Sequence, residues 1–279
     1  MAMAGKGVGK LKSGLAKYRA RVQTAFLFVW LLPLGGALHN ICGPVFHCYA
    51  CPLATFACPI GVIANFSALH VFPFFALGML AVVGGLFGAF VCGWACPFGF
   101  FQDVLGRIPT PRVKLPAWTG ASRYVVLAAF VIIVPFLFGE NHPLHICMLC
   151  PAGALEGAAP QMARQAAAGE AVSWPNMGKI AIVVAIVTAM FFTYRPWCTL
   201  FCPLGAIFGL FNRISVFFLR FKPGECISCD ACHSMCKVGV KPDRRANDPR
   251  CIRCLDCTDC PTKALEVGSV FGGGKSAAD

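Results

Sequence analysis

Cysteine is the residue through which this chain can do chemistry: it occurs 18 times in 279 residues, and the spacing sorts the copies into sets. Toward the C-terminus, "CISCDACHSMC" and "CIRCLDCTDC" place Cys226, Cys229, Cys232, Cys236, Cys251, Cys254, Cys257 and Cys260 in two runs of C-x-x-C-x-x-C, each with a trailing cysteine. A tight loop of this spacing wraps three thiolates around three irons of one [4Fe-4S] cubane, and the fourth ligand arrives from elsewhere. In the bacterial two-cluster pattern the trailing cysteine serves the other cluster. That groups Cys226, Cys229, Cys232 and Cys260 at one site, and Cys251, Cys254, Cys257 and Cys236 at the second. Zinc is the competing metal, but its sites usually separate two C-x-x-C knuckles. The pattern has two departures: Lys237 instead of proline follows Cys236, and a shortened last gap, "CTDC", leaves the ligand swap open to local change.

The remaining cysteines form a repeat. C-x-x-C-P at Cys48 and Cys51 is followed by an apolar run and then "CGWACPFGFF" at Cys92 and Cys96. C-x-x-C-P at Cys147 and Cys150 is followed by an apolar run and then "CTLFCPLGAIFG" at Cys198 and Cys202. Pairing across the repeat gathers Cys92, Cys96, Cys198 and Cys202 in one group, and Cys48, Cys51, Cys147 and Cys150 in another. Each offers the four thiolates that a cubane or a tetrahedral metal needs. Pro52, Pro97, Pro151 and Pro203 stop the preceding helix. The thiols then sit at helix ends, where free N–H groups favour thiolate. For "HCYACPLATFACPIG" a disulfide-closed loop stays open as an alternative. Attached c-type haem is excluded, because proline and not histidine follows each C-x-x-C. Cys42 and Cys58 have no counterpart in the second half and are candidates for a disulfide.

The elements that must position these thiols are membrane helices. The chain is 57% hydrophobic and 13% charged, with a mean hydropathy of +0.69, far from a soluble average. Apolar runs at 22–38, 71–91, 124–138 and 179–194 predict about four crossings. Basic residues cluster at Lys6, Lys10, Lys12, Lys17, Arg19 and Arg21, and again at Arg107, Arg112, Lys114 and Arg123, whereas 41–70 carries no charge. This asymmetry puts both termini in the cytoplasm of a bacterial inner-membrane protein. The net charge of +12 then reflects topology and anionic lipid and asks for no nucleic acid. The expected organisation is a basic N-terminal segment 1–21, a membrane domain 22–221, a two-cluster domain 222–268 and a flexible tail 269–279. The fold class is mainly α, a polytopic helix bundle of two pseudo-repeats with a small α+β C-terminal domain.

Other polar residues read more plainly. His39, His47, His70, His142 and His145 lie at outer helix ends or loops, where interfacial hydrogen bonding outweighs haem ligation. His233 packs near a cluster. Gly84, Gly85 and Gly88 predict a close helix contact. Asp103 is expected to cap its helix or pair with Arg107, with proton acceptance from a quinol as the functional alternative. No nucleophile elbow, P-loop or dinucleotide fingerprint is visible.

From Cys92 to Leu265 the chain resembles the membrane polyferredoxins typified by NapH, NosR and MauN, on the strength of "CGWACPFG", "CTLFCPLG" and the eight-cysteine domain. The resemblance implies two [4Fe-4S] clusters in the C-terminal domain, one or two further clusters or metal ions at the membrane motifs, and electron transfer between the cytoplasmic side or the quinone pool and periplasmic redox proteins. It leaves open whether the chain is the electron-transfer subunit of a quinol dehydrogenase. The competing function is copper binding and reduction by the C-x-x-x-C-P thiols during metalloenzyme maturation, as thought for the related CcoG type.

Overall fold

The computed structural model describes residues 15–32 and 36–272. Positions 1–14, the 33–35 part of the first expected crossing and the 273–279 part of the tail lie outside the described residues.

The protein is mainly helical. Among the described residues one helix, Ala117–Phe138, is long and apolar enough to cross a membrane, with 22 residues and a hydropathy of 2.2. Its Leu127–Ile133 portion widens to i→i+5 hydrogen bonding just before Pro135, which has no N–H to give the preceding turn. The other apolar helices are shorter: Pro59–Ala68, Phe74–Phe87 and Met177–Phe192. Among the described residues the apolar runs expected to give about four crossings thus form one helix of crossing length and several shorter ones, and local chemistry explains the breaks. Gly88, at φ +53, ends Phe74–Phe87 in a backbone state that glycine adopts without a Cβ clash. Pro59, Pro97 and Pro203 each open a new short helix at its first turn, where the missing N–H costs nothing.

These short helices pack closely. A Cβ at Gly84 would lie 2.6 Å from the Phe211 ring, so helix Phe74–Phe87 crosses helix Pro203–Phe211 at near-backbone distance. The outward faces stay apolar, with Phe74 76%, Phe75 63% and Leu137 64% exposed, a surface too extensive to be left to water.

The C-terminal module is ferredoxin-like. Strand β1 (Phe217–Phe221) pairs antiparallel with β2 (Leu265–Ser269) in the register Phe217↔Ser269 to Phe221↔Leu265. The module's first strand thus begins ahead of position 222. Leu219, Leu255, Cys257 and Leu265 form its core. Between the strands lie a short helix, Ala231–Met235, and a 3-10 turn, Asp256–Asp259.

Candidate metal centres

Cys92, Cys96, Cys198 and Cys202 are all buried, and every pair among them lies within electrostatic reach. Cys96 and Cys202 cap helices Pro97–Leu105 and Pro203–Phe211. In the second of these the third helical N–H turns back onto the sulfur: Gly205 N donates to Cys202 Sγ at 3.4 Å. Gln102 Nε2 donates to Cys198 Sγ at 3.1 Å. Such donors favour a thiolate over a thiol.

A buried polar network frames this inner group. Arg195 Nη1 donates to the Cys92 carbonyl at 2.7 Å, and its Nε and Nη2 grip Asp103 at 2.9 and 2.6 Å. Arg19 also donates to Asp103 at 2.6 Å, joined by Gln23 at 3.0 Å and the Tyr194 hydroxyl at 2.7 Å. Arg19 and Gln23 both donate to the Gly93 carbonyl as well. Asp103 therefore neither caps its helix nor pairs with Arg107. The tertiary fold brings it two guanidinium groups that sequence spacing could not reveal.

In the second group the structure rearranges the cysteines. Cys48, Cys58, Cys147 and Cys150 are mutually within electrostatic reach. Cys51, expected in this set, lies within reach of Cys48 and of the His47 ring, whereas Cys58 lies within reach of Cys48, Cys147 and Cys150. Cys58 does not bond to Cys42; both thiols are free. The chain beside Cys42 bridges to Ala57, and the Cys42 thiol is directed to the Gly43 carbonyl. Cys58 caps helix Pro59–Ala68, which turns its sulfur inward toward Cys147.

This substitution has a sequence signal that the C-x-x-C-P reading passes over. Cys58-Pro59-Ile60-Gly61, Cys96-Pro97-Phe98-Gly99, Cys150-Pro151-Ala152-Gly153 and Cys202-Pro203-Leu204-Gly205 are copies of C-P-x-G, whereas Cys51-Pro52-Leu53 runs into Ala54. The glycine N–H can reach the sulfur: Gly153 N donates to Cys150 Sγ at 3.4 Å.

In the C-terminal module, Cys257 lies within reach of Cys236, Cys251 and Cys254, and Cys232 lies within reach of Cys260. The two C-x-x-C-x-x-C loops repeat one backbone shape. Ser228 and Asp230 in the first, and Arg253 and Leu255 in the second, all adopt positive φ near 50–65°. Alternating right- and left-handed residues turn successive N–H groups to the inside of a loop, the concavity that suits an anionic iron-sulfur centre. Arg253 N accordingly donates to Cys251 Sγ at 3.4 Å. His233 and Asp243 stand beside Cys232, bonded to each other.

The spacing of the sulfurs tests which cofactor these groups fit. Among the described residues, the only trio of potential ligand atoms lying within 4.8 Å of one another is that of Cys232, His233 and Asp243. No cysteine quartet is therefore drawn in to the edge of a single-metal tetrahedron, about 3.8 Å for Zn–S bonds of about 2.3 Å. Four cysteines within reach of one another, with backbone N–H groups donating to Cys150, Cys202 and Cys251, are a donor set that a cubane can use. The histidines keep to local bonds: His39 Nδ1 meets the Ala54 carbonyl, while His142 and His145 accept from Leu144 N and Cys147 N.

Comparison with known proteins converges on the same chemistry. Two stretches, 69–116 and 176–224, match the model of a 4Fe-4S binding domain, and they contain Cys92 with Cys96 and Cys198 with Cys202. An uncharacterized protein of Methanocaldococcus jannaschii is 26% identical over 63% of this chain and 70% of its own length. Escherichia coli YccM, provisionally named an electron transport protein, is 23% identical over 66% of the chain and 51% of its own length. The regulatory protein NosR of Pseudomonas aeruginosa is 28% identical over 57% of the chain but only 22% of its own length. The matched part thus spans between about a fifth and seven-tenths of these relatives. No solved structure matches the chain.

Proposed function

The chain belongs to the membrane polyferredoxins, the family of NosR, and from that premise we propose that it relays electrons between a soluble carrier at its C-terminal module and the cysteine groups of its helix bundle. A bound [4Fe-4S] cubane supplies one-electron storage at a potential set by ligands, hydrogen bonds and exposure. Cys226, Cys229, Cys232 and Cys260 would hold one, Cys236, Cys251, Cys254 and Cys257 a second, and Cys92, Cys96, Cys198 and Cys202 a third.

One observation carries this reading. Gly93, between Cys92 and Cys96, lies so near the module that a Cβ on it would meet the Ile252 carbonyl at 2.4 Å, and Ile252 directly follows Cys251. Backbone touches backbone with no side chain between the two ligand loops. Trp94 Nε1 donating to the Arg253 carbonyl at 3.0 Å, and Asn212 Nδ2 donating to the Cys251 carbonyl at 2.8 Å, clamp the same junction. The far loop faces outward, with Cys229 exposed and Ile227 67% exposed. It is the natural contact for a partner protein.

Gly93→Ala is expected to force the module away from the bundle, an overpacking cost of about 1–3 kcal/mol. Rapid reduction of the module followed optically would then show slowed reoxidation through the bundle at unchanged iron content. An unaltered rate would defeat the relay.

A quinone head finds little at the apolar cavity beside the junction. That space of about 510 Å³ lies between Trp30, Trp94, Phe217 and Leu255. Both tryptophan N–H groups are already committed to backbone carbonyls.

The membrane placement we propose is multi-pass, with both termini cytoplasmic. The Lys/Arg asymmetry, helix Ala117–Phe138 and the exposed phenylalanines support it. A reporter that is active only in the periplasm, fused after Lys275, is expected to stay silent. Activity there would reverse the topology.

A further inference from the structure

We propose that Cys48, Cys58, Cys147 and Cys150 hold a further [4Fe-4S] cluster, with Cys58 and not Cys51 as the ligand from the first half of the repeat. The site lies outside both stretches that match the 4Fe-4S binding domain. Its role as a relay rests on the function proposed above; its existence does not.

Three features build the site. The first is the capping geometry. Cys58 and Cys150 each stand before proline at the start of a helical segment in C-P-x-G, as Cys96 and Cys202 do, and the glycine N–H donates to the sulfur of Cys150 as it does to that of Cys202. Two capping cysteines joined by two upstream cysteines is the composition of the inner group too: Cys92 and Cys198 there, Cys48 and Cys147 here.

The second is a cradle of glycines. A Cβ at Gly61 would lie 3.6 Å from Cys147 Sγ, and one at Gly157 would lie 2.9 Å from Cys48 Sγ. Side chains at either position would crowd the sulfurs. Glycine leaves the room that a cluster needs around its thiolates.

The third is charge. Cys48 and Cys147 both lie within electrostatic reach of Lys179, a cation that offsets part of the negative charge of a four-thiolate cubane. Cys48 N donates to Glu156 Oε2 at 3.1 Å, and the same oxygen pairs with His47 Nδ1 at 2.9 Å. This pins the loop that presents Cys48.

The position of this group differs from that expected of a site at the far end of the bundle. The Phe46 carbonyl lies 3.9 Å from Cys96 Sγ, and Cys48 follows two residues later, at most about 7 Å of extended chain. Phe46 is buried against Phe98 and Trp197, with ring centroids 5.9 and 6.1 Å away. The two cysteine groups are neighbours across one aromatic layer. The prolines bring this about, because they start helices inside the bundle and so carry the capping cysteines inward.

The test is iron and acid-labile sulfide per chain in full-length protein purified anaerobically in detergent. With this site the total is about 16 Fe, and without it about 12, at four irons per cubane. Cys58→Ala is expected to lose about 4 Fe, while Cys51→Ala keeps the wild-type amount. Maleimide tagging of the wild-type protein needs no variant to fold. Cys48, Cys58, Cys147 and Cys150 should become reactive only after iron chelation. A total near 12 Fe that Cys58→Ala leaves unchanged would overturn the site and spare the relay reading. Thiols released by reductant but not by chelator would overturn it in favour of disulfides. A total near 12 Fe that Cys58→Ala lowers to about 8, with Cys92 and Cys198 already reactive before chelation, would instead remove the relay reading and spare the site.

Discussion

Asp103→Asn is expected to destabilise the folded protein by about 3–5 kcal/mol, the cost of removing one partner from a buried ion pair. Asp103 is the carboxylate shared by Arg19 and Arg195, which are 7% and 1% exposed. Asparagine keeps the shape but leaves two buried guanidinium groups without a counter-charge. For a chain of this size the apparent Tm should fall by about 10 °C, read at a fixed scan rate in detergent at pH 7.

The pH dependence has a definite sign. Burial alone would push the Asp103 carboxyl up, but Arg195, and after it Arg19, hold it well below the usual carboxylate range. A carboxyl with a depressed folded-state pKa contributes stability that is complete above its unfolded value of about 3.9 and is lost as pH falls further. The wild-type advantage over Asp103→Asn should therefore be constant from pH 5 upward and shrink below about pH 4. A Tm difference under about 2 °C at pH 7 would show that the network carries no net stability.

Arg253→Ala should free the C-terminal module from the bundle. Arg253 is fully buried. Its guanidinium donates to the carbonyls of Phe87 (3.0 Å), Phe217 (2.6 Å) and Asn212 (2.7 Å), to Ser215 Oγ (2.8 Å) and to Asn247 Oδ1 (3.2 Å). It also lies over the Phe90 ring at 5.2 Å. Alanine would strand several buried acceptors, each at about 1–3 kcal/mol, placing the variant beyond about 4 kcal/mol. Limited proteolysis is expected to cut near Arg213, ahead of β1, and release the module under conditions that leave the wild-type chain whole. Arg253→Lys, with a single ammonium for a forked guanidinium, should fall between the two. Protease resistance equal to wild type in Arg253→Ala would mean that the clamp lies elsewhere.

What sequence alone determined is local. Three cysteines at C-x-x-C-x-x-C lie within one turn of backbone, so their spacing reports directly on a wrapped loop. The repeat of C-x-x-x-C-P sufficed to pair Cys92 and Cys96 with Cys198 and Cys202, which the fold brings together. The apolar runs were legible as helices, but their interruption was not: a hydropathy window averages over Gly88 and over the cysteine–proline junctions that restart the chain in a new direction.

The partners of Cys58 belong to tertiary structure. C-P-x-G distinguishes Cys58 from Cys51 within the same loop, but only the packing of helix Pro59–Ala68 brings its sulfur to Cys48, Cys147 and Cys150. Asp103 likewise meets Arg19 and Arg195 across 84 and 92 positions of sequence. Arg253 looks like a spacer within C-x-x-C until it is seen spanning two domains. Such partners are selected by the burial of whole helices, a collective effect with no signature in the few residues around each group, and so the contacts between the cysteine groups became visible only in the folded chain.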